Sequence, residues 1–100
     1  MVTRGGTIAV YMLANRRNGT LYIGVTGDLV RRVRQHREKA SAGFTNRYDV
    51  TRLVWYQRHD SMTAAIQRET SIKRYPRAWK IKLIEALNPH WVDLYNRLNC

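Results

Sequence analysis

The sequence predicts a small α/β domain in which a three-stranded mixed sheet carries packed helices, in the order β-β-α-β-α-α. Three observations carry this. Two short runs rich in β-branched and aromatic residues flank an Asn-Gly turn signal near the start of the chain, and a third such run lies at 52–56. Each later segment of helical length opens on an Asp, Ser or Pro start signal. The chain has 100 residues, enough for one domain over 1–100 with a modest core.

The first strand is Ile8-Ala9-Val10-Tyr11-Met12-Leu13-Ala14, an apolar run that reads as buried. The polar stretch Asn15 to Gly19 turns the chain, and Thr20-Leu21-Tyr22-Ile23-Gly24-Val25 returns as the second strand. A glycine inside a strand, here Gly24, signals a bend or a close approach of another group. Asp28 caps a first helix from Leu29 to about Lys39, and Ala40 to Asp49 reads as a loop. Arg52 to Tyr56 is the third strand. Asp60-Ser61 starts a second helix that runs to about Tyr75, and Pro76 suits the first turn of a third, ending near Leu87 before Asn88-Pro89. The tail is expected to dock through Trp91 and Leu94, with Trp79 and Trp91 both read as packing residues.

The bulk composition narrows the function. Eighteen Lys and Arg face seven Asp and Glu, a net charge of +11, which predicts attraction to a polyanion, and nucleic acid is the expected partner. No apolar run approaches the ~18 residues of a membrane span. The residues Met1 to Gly6 lack the apolar core of a signal peptide, so a cytoplasmic location is expected. The single cysteine, Cys100, offers neither a disulfide framework nor a zinc spacing.

Several charged residues stand where apolar ones belong. In the second helix Glu69 lies among Ala65, Ile66 and Ile72, in the middle of the expected apolar stripe. A carboxylate there requires a partner: either a buried arginine or a bound metal. In the first helix Leu29 and Val33 mark the inner stripe, and Arg32 and His36, four residues apart, share its edge. Alone, Arg32 reads as a surface arginine laid along apolar neighbours; beside His36 it reads as a site. Arg31, Arg34 and Arg37 point elsewhere, toward solvent or phosphates. Tyr11 and Tyr22 face each other across the hairpin, as ordinary cross-strand aromatics do. Glu85, three after Lys82, reads as half of a surface pair.

Taken in order, Val10-Tyr11-Met12, Tyr22-Ile23-Gly24, Arg32, His36 and Glu69 resemble the GIY-YIG nucleases, and the stretches Glu69 to Arg74, Trp79-Lys80 and Asn88-Pro89-His90-Trp91 resemble the small single-domain bacterial members. Ala9 and Val10 replace the glycine and isoleucine of the first motif, and Val25 stands where some members carry a lysine. The resemblance implies a metal-dependent endonuclease that hydrolyses phosphodiester bonds, with DNA ahead of RNA as substrate. Tyr11, Tyr22, Arg32, His36 and Glu69 are then expected to converge on one concave site. Glu69 would hold Mg2+ or Mn2+, Arg32 would bind the scissile phosphate, Tyr11 would act as general base once activated by His36, a metal-bound water or the field of Arg32, and Tyr22 would orient the water or a phosphate oxygen, with the roles of Tyr22 and His36 exchangeable. Arg31 and Arg34 are expected on substrate phosphates, and Asn88, with Asn96 as the alternative, in the place of the family's downstream asparagine. The competing expectation is a nucleic-acid-binding module that keeps the fold without catalysis.

Overall fold

The computed structural model describes residues 6–41 and 50–98. The expected loop from Ala40 to Asp49 falls mostly outside them, as does Cys100. The elements run β1 (Ala9–Ala14), β2 (Leu21–Thr26), α1 (Leu29–Ser41), β3 (Arg52–Arg58), α2 (Met62–Lys73), α3 (Arg77–Leu87) and the one-turn α4 (Tyr95–Leu98).

The sheet order is β2-β1-β3, with β1 antiparallel to both neighbours. The expectation of a mixed sheet is corrected by that order. The strands β2 and β3, joined through α1, do run parallel, but β1 lies between them, so no parallel pair forms. All six residues of β1 are buried, because helices cover both faces. Val10, Met12 and Ala14 pack with Ala65, Ile72, Ile84 and Trp91, the layer of α2 and α3. Ala9, Tyr11 and Leu13 pack with Leu29, Val33, Leu53 and Leu94, the layer of α1 and the tail. The period-2 alternation of the strand thus sorts its side chains into two cores.

Local chemistry explains the joints. The hairpin closes with Asn18 in the left-handed region (φ 57°), a conformation that asparagine tolerates better than most residues. Asn15 caps the turn, its Oδ1 accepting from the Thr20 N–H at 2.9 Å. Asp28 Oδ1 accepts from the Arg31 N–H at 3.2 Å and opens α1, while Ser61 Oγ accepts from the Ala64 N–H at 3.1 Å and opens α2. Between Met12↔Trp55 and Leu13↔Leu53 the register shifts, leaving Val54 as an extra residue on β3. Its freed carbonyl accepts from Asn88 Nδ2 at 3.0 Å.

The tail is bonded to the body at several points. Trp91 is fully buried with its backbone in the left-handed region (φ 55°). It is held by Arg52 Nη1 donating to its carbonyl at 3.1 Å and by its own Nε1 donating to Glu85 Oε2 at 2.8 Å. Glu85 is therefore the acceptor for an indole, a role the expected pairing with Lys82 did not include. Among the described residues no helix is long and apolar enough to cross a membrane.

Candidate active site

The site grows from the β1–β2 hairpin and the face of α1 that covers it. Tyr11 sits on the central strand and pairs with Gly24 on β2, while Tyr22 pairs with Leu13. The tyrosines are therefore diagonal neighbours, not directly opposite, with ring centroids 6.1 Å apart. The Tyr11 ring lies against Gly24: a Cβ there would stand 2.6 Å from the phenol oxygen and 2.7 Å from Cζ. That close approach is the reason for a glycine inside β2.

Helix α1 brings Arg32 and His36 onto the same place, one turn apart. His36 Nε2 lies 3.2 Å from the Tyr11 hydroxyl, and its ring is 5.0 Å from that of Tyr22. The Arg32 guanidinium interacts with both phenols, Tyr11 foremost, which raises its own pKa, and it donates to Gln35 Oε1 at 3.2 Å.

Burial dominates the electrostatics of Tyr11. Its side chain is sealed from solvent, and desolvation pushes its phenol from 10.0 up to about 12, against the opposing pull of Arg32. The activation expected for this tyrosine is thus overridden in the free protein: the phenol keeps its proton. A protonated phenol has one hydrogen to donate and two lone pairs. Donation to His36 Nε2 would use the hydrogen, leaving a lone pair for the Arg32 guanidinium, which can only donate. Tyr22, 40% exposed, is the most open member of the group, with Arg32 and His36 partly exposed.

Contacts therefore tie four of the five expected residues together. Glu69 lies on α2, in the layer on the other side of the sheet, and α2 packs on β1 and the edge strand β2. Its carboxylate, 15% exposed, pairs with Lys73 Nζ at 2.9 Å, so the companion is a half-exposed lysine one turn along and not a buried arginine. Ile66, assigned to the same apolar stripe, is 47% exposed, and the buried stripe is Ala65 and Ile72 alone. Among the described residues no three His, Cys, Asp or Glu side chains cluster as a metal-binding group. A single carboxylate is nevertheless a donor set that suits magnesium, which keeps most of its waters.

The flanking residues divide. Arg31 and Arg34 are exposed on α1, open to a phosphate. Arg37 is not: it pairs with Asp93 Oδ2 at 2.7 Å and lies over the Tyr95 ring. Asn88 is corrected outright. It is buried, with Nδ2 donating to the carbonyls of Val54 and Val92 and Oδ1 accepting from the Val92 N–H. Its amide is committed to the bulge and the tail, which leaves nothing for a substrate. Asp93 was missed as a linker: besides Arg37, it accepts from the N–H groups of Leu53 and Tyr95, a set of contacts with no local sequence pattern.

A hairpin that presents two tyrosines to an arginine and a histidine on the following helix defines a class of domain. The model described as the GIY-YIG catalytic domain matches residues 7–82, and the chain belongs to the GIY-YIG family, a family of nucleases. Its relatives include the UPF0213 protein of Haloquadratum walsbyi, 39% identical over 66% of this chain and 74% of that protein. The UPF0213 protein of Vibrio parahaemolyticus is 35% identical over 77% of this chain and 72% of that one. In solved structures the fold matches the UPF0213 protein of Bacillus halodurans, with a TM-score of 0.52 and 28% identity over 82% of this chain and 86% of that chain.

Proposed function

We propose that this protein is a metal-assisted endonuclease that hydrolyses phosphodiester bonds in nucleic acid, DNA ahead of RNA. The observation that carries the reading is the contact group itself: a guanidinium beside two phenols and an imidazole, on a chain of net charge +11. Neither packing nor solubility calls for an arginine beside two tyrosines, one of them sealed from solvent.

In this reading Arg32 binds a non-bridging oxygen of the scissile phosphate and stabilises the charge that builds in the transition state. Tyr22, the exposed member, orients the attacking water. Because Tyr11 holds its proton, it acts as base by relay. As water attacks phosphorus its proton passes to the Tyr11 oxygen while the Tyr11 proton passes to Nε2 of His36, so no phenolate forms. Glu69 would hold Mg2+ or Mn2+ in place of its pair with Lys73, and a bound divalent ion would supply positive charge to the phosphate. Arg31 and Arg34 would guide the backbone.

The test is incubation of labelled single-stranded, duplex and branched oligonucleotides with magnesium, manganese or EDTA. The expected result is metal-dependent internal cleavage that EDTA abolishes and that Arg32→Ala slows by about 10²–10³-fold, the cost of removing a transition-state donor. Salt-sensitive binding without cleavage under any metal would establish the non-catalytic binding module instead.

A further inference from the structure

Of the three tryptophans, Trp55 and Trp91 are buried, whereas Trp79 on α3 is 56% exposed, contrary to its expected packing role. The exposed ring is braced, not loose. Trp79 meets the Tyr75 ring edge-on at 5.4 Å. The Tyr75 hydroxyl accepts from Arg68 Nη1 at 3.1 Å, and Arg68 Nε donates to Gln57 Oε1 on β3 at 3.0 Å. A bond chain from the sheet thus holds an indole in water. Ordering a side chain in advance lowers the entropy lost when something binds to it.

The surroundings indicate what binds. From Arg68 to Lys82 the sequence carries six cations and a single acid, Glu69. Lys82 follows Trp79 by three residues and shares its side of the helix. Arg74 and Arg77 are exposed in the same stretch of chain. The surface is also joined to the catalytic group: Arg77 Nη2 donates to the carbonyls of Asn18 and Gly19 at 2.8 and 2.6 Å, fastening the start of α3 to the hairpin whose return strand carries Tyr22. Cations alone would suit a duplex backbone. A braced, open indole among them suits a base that is free to stack, which paired bases within a duplex are not.

We propose that Trp79 is the stacking platform of a second nucleic-acid contact, taking an unpaired base on its indole while Arg74, Lys80 and Lys82 meet the neighbouring phosphates. This rests on the nucleic-acid reading above and narrows the substrate to strands with at least one unpaired base near the site.

The test follows tryptophan emission as the whole protein, in EDTA, is titrated with a short oligothymidylate and with a blunt duplex of the same length. Oligothymidylate should quench the emission. Trp79→Ala should abolish the quenching and weaken oligothymidylate binding by about tenfold, with duplex affinity little changed; Trp79→Phe, which keeps a ring, should restore most of the loss. Unchanged emission on binding would overturn the proposal, as would wild-type affinity in Trp79→Ala or an equal loss for both ligands. So would a dimer in sedimentation that Trp79→Ala dissolves, since the indole would then face a second copy. Quenching without cleavage in magnesium leaves this proposal standing and removes the nuclease reading; cleavage without quenching does the reverse.

Discussion

Replacing Glu69 with glutamine separates a metal ligand from a structural charge more cleanly now that its partner is known. The Glu69–Lys73 pair is an i,i+4 pair with side-chain exposures of 15% and 54%. Pairs of that kind contribute about 0.3–0.5 kcal/mol, and glutamine matches glutamate in size and helix propensity. For a domain of this length, a loss of that order lowers Tm by about 1–4 °C. A buried glutamate–arginine pair would instead cost about 3–5 kcal/mol. The expected outcome for Glu69→Gln is thus a folded protein with nearly wild-type melting, no metal-dependent cleavage and no rise in Tm on adding magnesium. Thermal unfolding by circular dichroism, with and without magnesium, and a cleavage assay on the same preparation read all three. Wild-type cleavage per folded molecule would refute the ligand role, and a fall in Tm beyond about 10 °C would show that the carboxylate is structural after all.

Tyr11 makes stability depend on alkaline pH. Its folded-state pKa is raised from 10.0 to about 12, so the folded protein keeps a proton that the unfolded chain releases between those values. The stability this contributes is full below pH 10 and is lost as pH rises through 12; in urea unfolding, the gap between wild type and Tyr11→Phe should shrink by about 1 kcal/mol from pH 8 to pH 11. Gly24→Ala should push a methyl into the buried phenol, destabilising the fold by about 1–3 kcal/mol and slowing cleavage per folded molecule; normal cleavage would show that the Tyr11–His36 contact is dispensable. Asn88→Ala removes three bonds to backbone groups and should cost roughly 3 kcal/mol at about 1 kcal/mol each in chemical denaturation, with the cleavage rate per folded molecule unchanged.

What was legible in the sequence follows from how far a residue's role can be read from its neighbours. The pairing of Arg32 with His36 and the hairpin that carries Tyr11 and Tyr22 are local, set by helix spacing and a turn signal. The tight approach at Gly24 was likewise signalled by a glycine within a strand. The strand order was not legible, because turn chemistry does not say which side of β1 receives β3. Asn88, Glu85 and Asp93 were misread or missed for a related reason. Their partners Val54, Trp91 and Arg37 are fixed by a bulge and by the docking of the tail, and neither leaves a periodic trace. Trp79 was assigned to packing because an apolar ring in a helix ordinarily finds a core. Here the layer beneath is filled by Ile72, Ile84 and Trp91.

The docked tail bears on where this domain can be cut. The family match ends at residue 82, inside α3 and ahead of Ile84, Trp91 and Leu94, all buried. It also ends ahead of Asp93, which anchors Arg37 and hence the helix that presents Arg32 and His36. A fragment trimmed to the match would lose part of one core layer and the tether on its working helix. The stretch the family model matches is thus shorter than the stretch that folds, and a fusion or transplant of this GIY-YIG domain should carry the chain through Leu98.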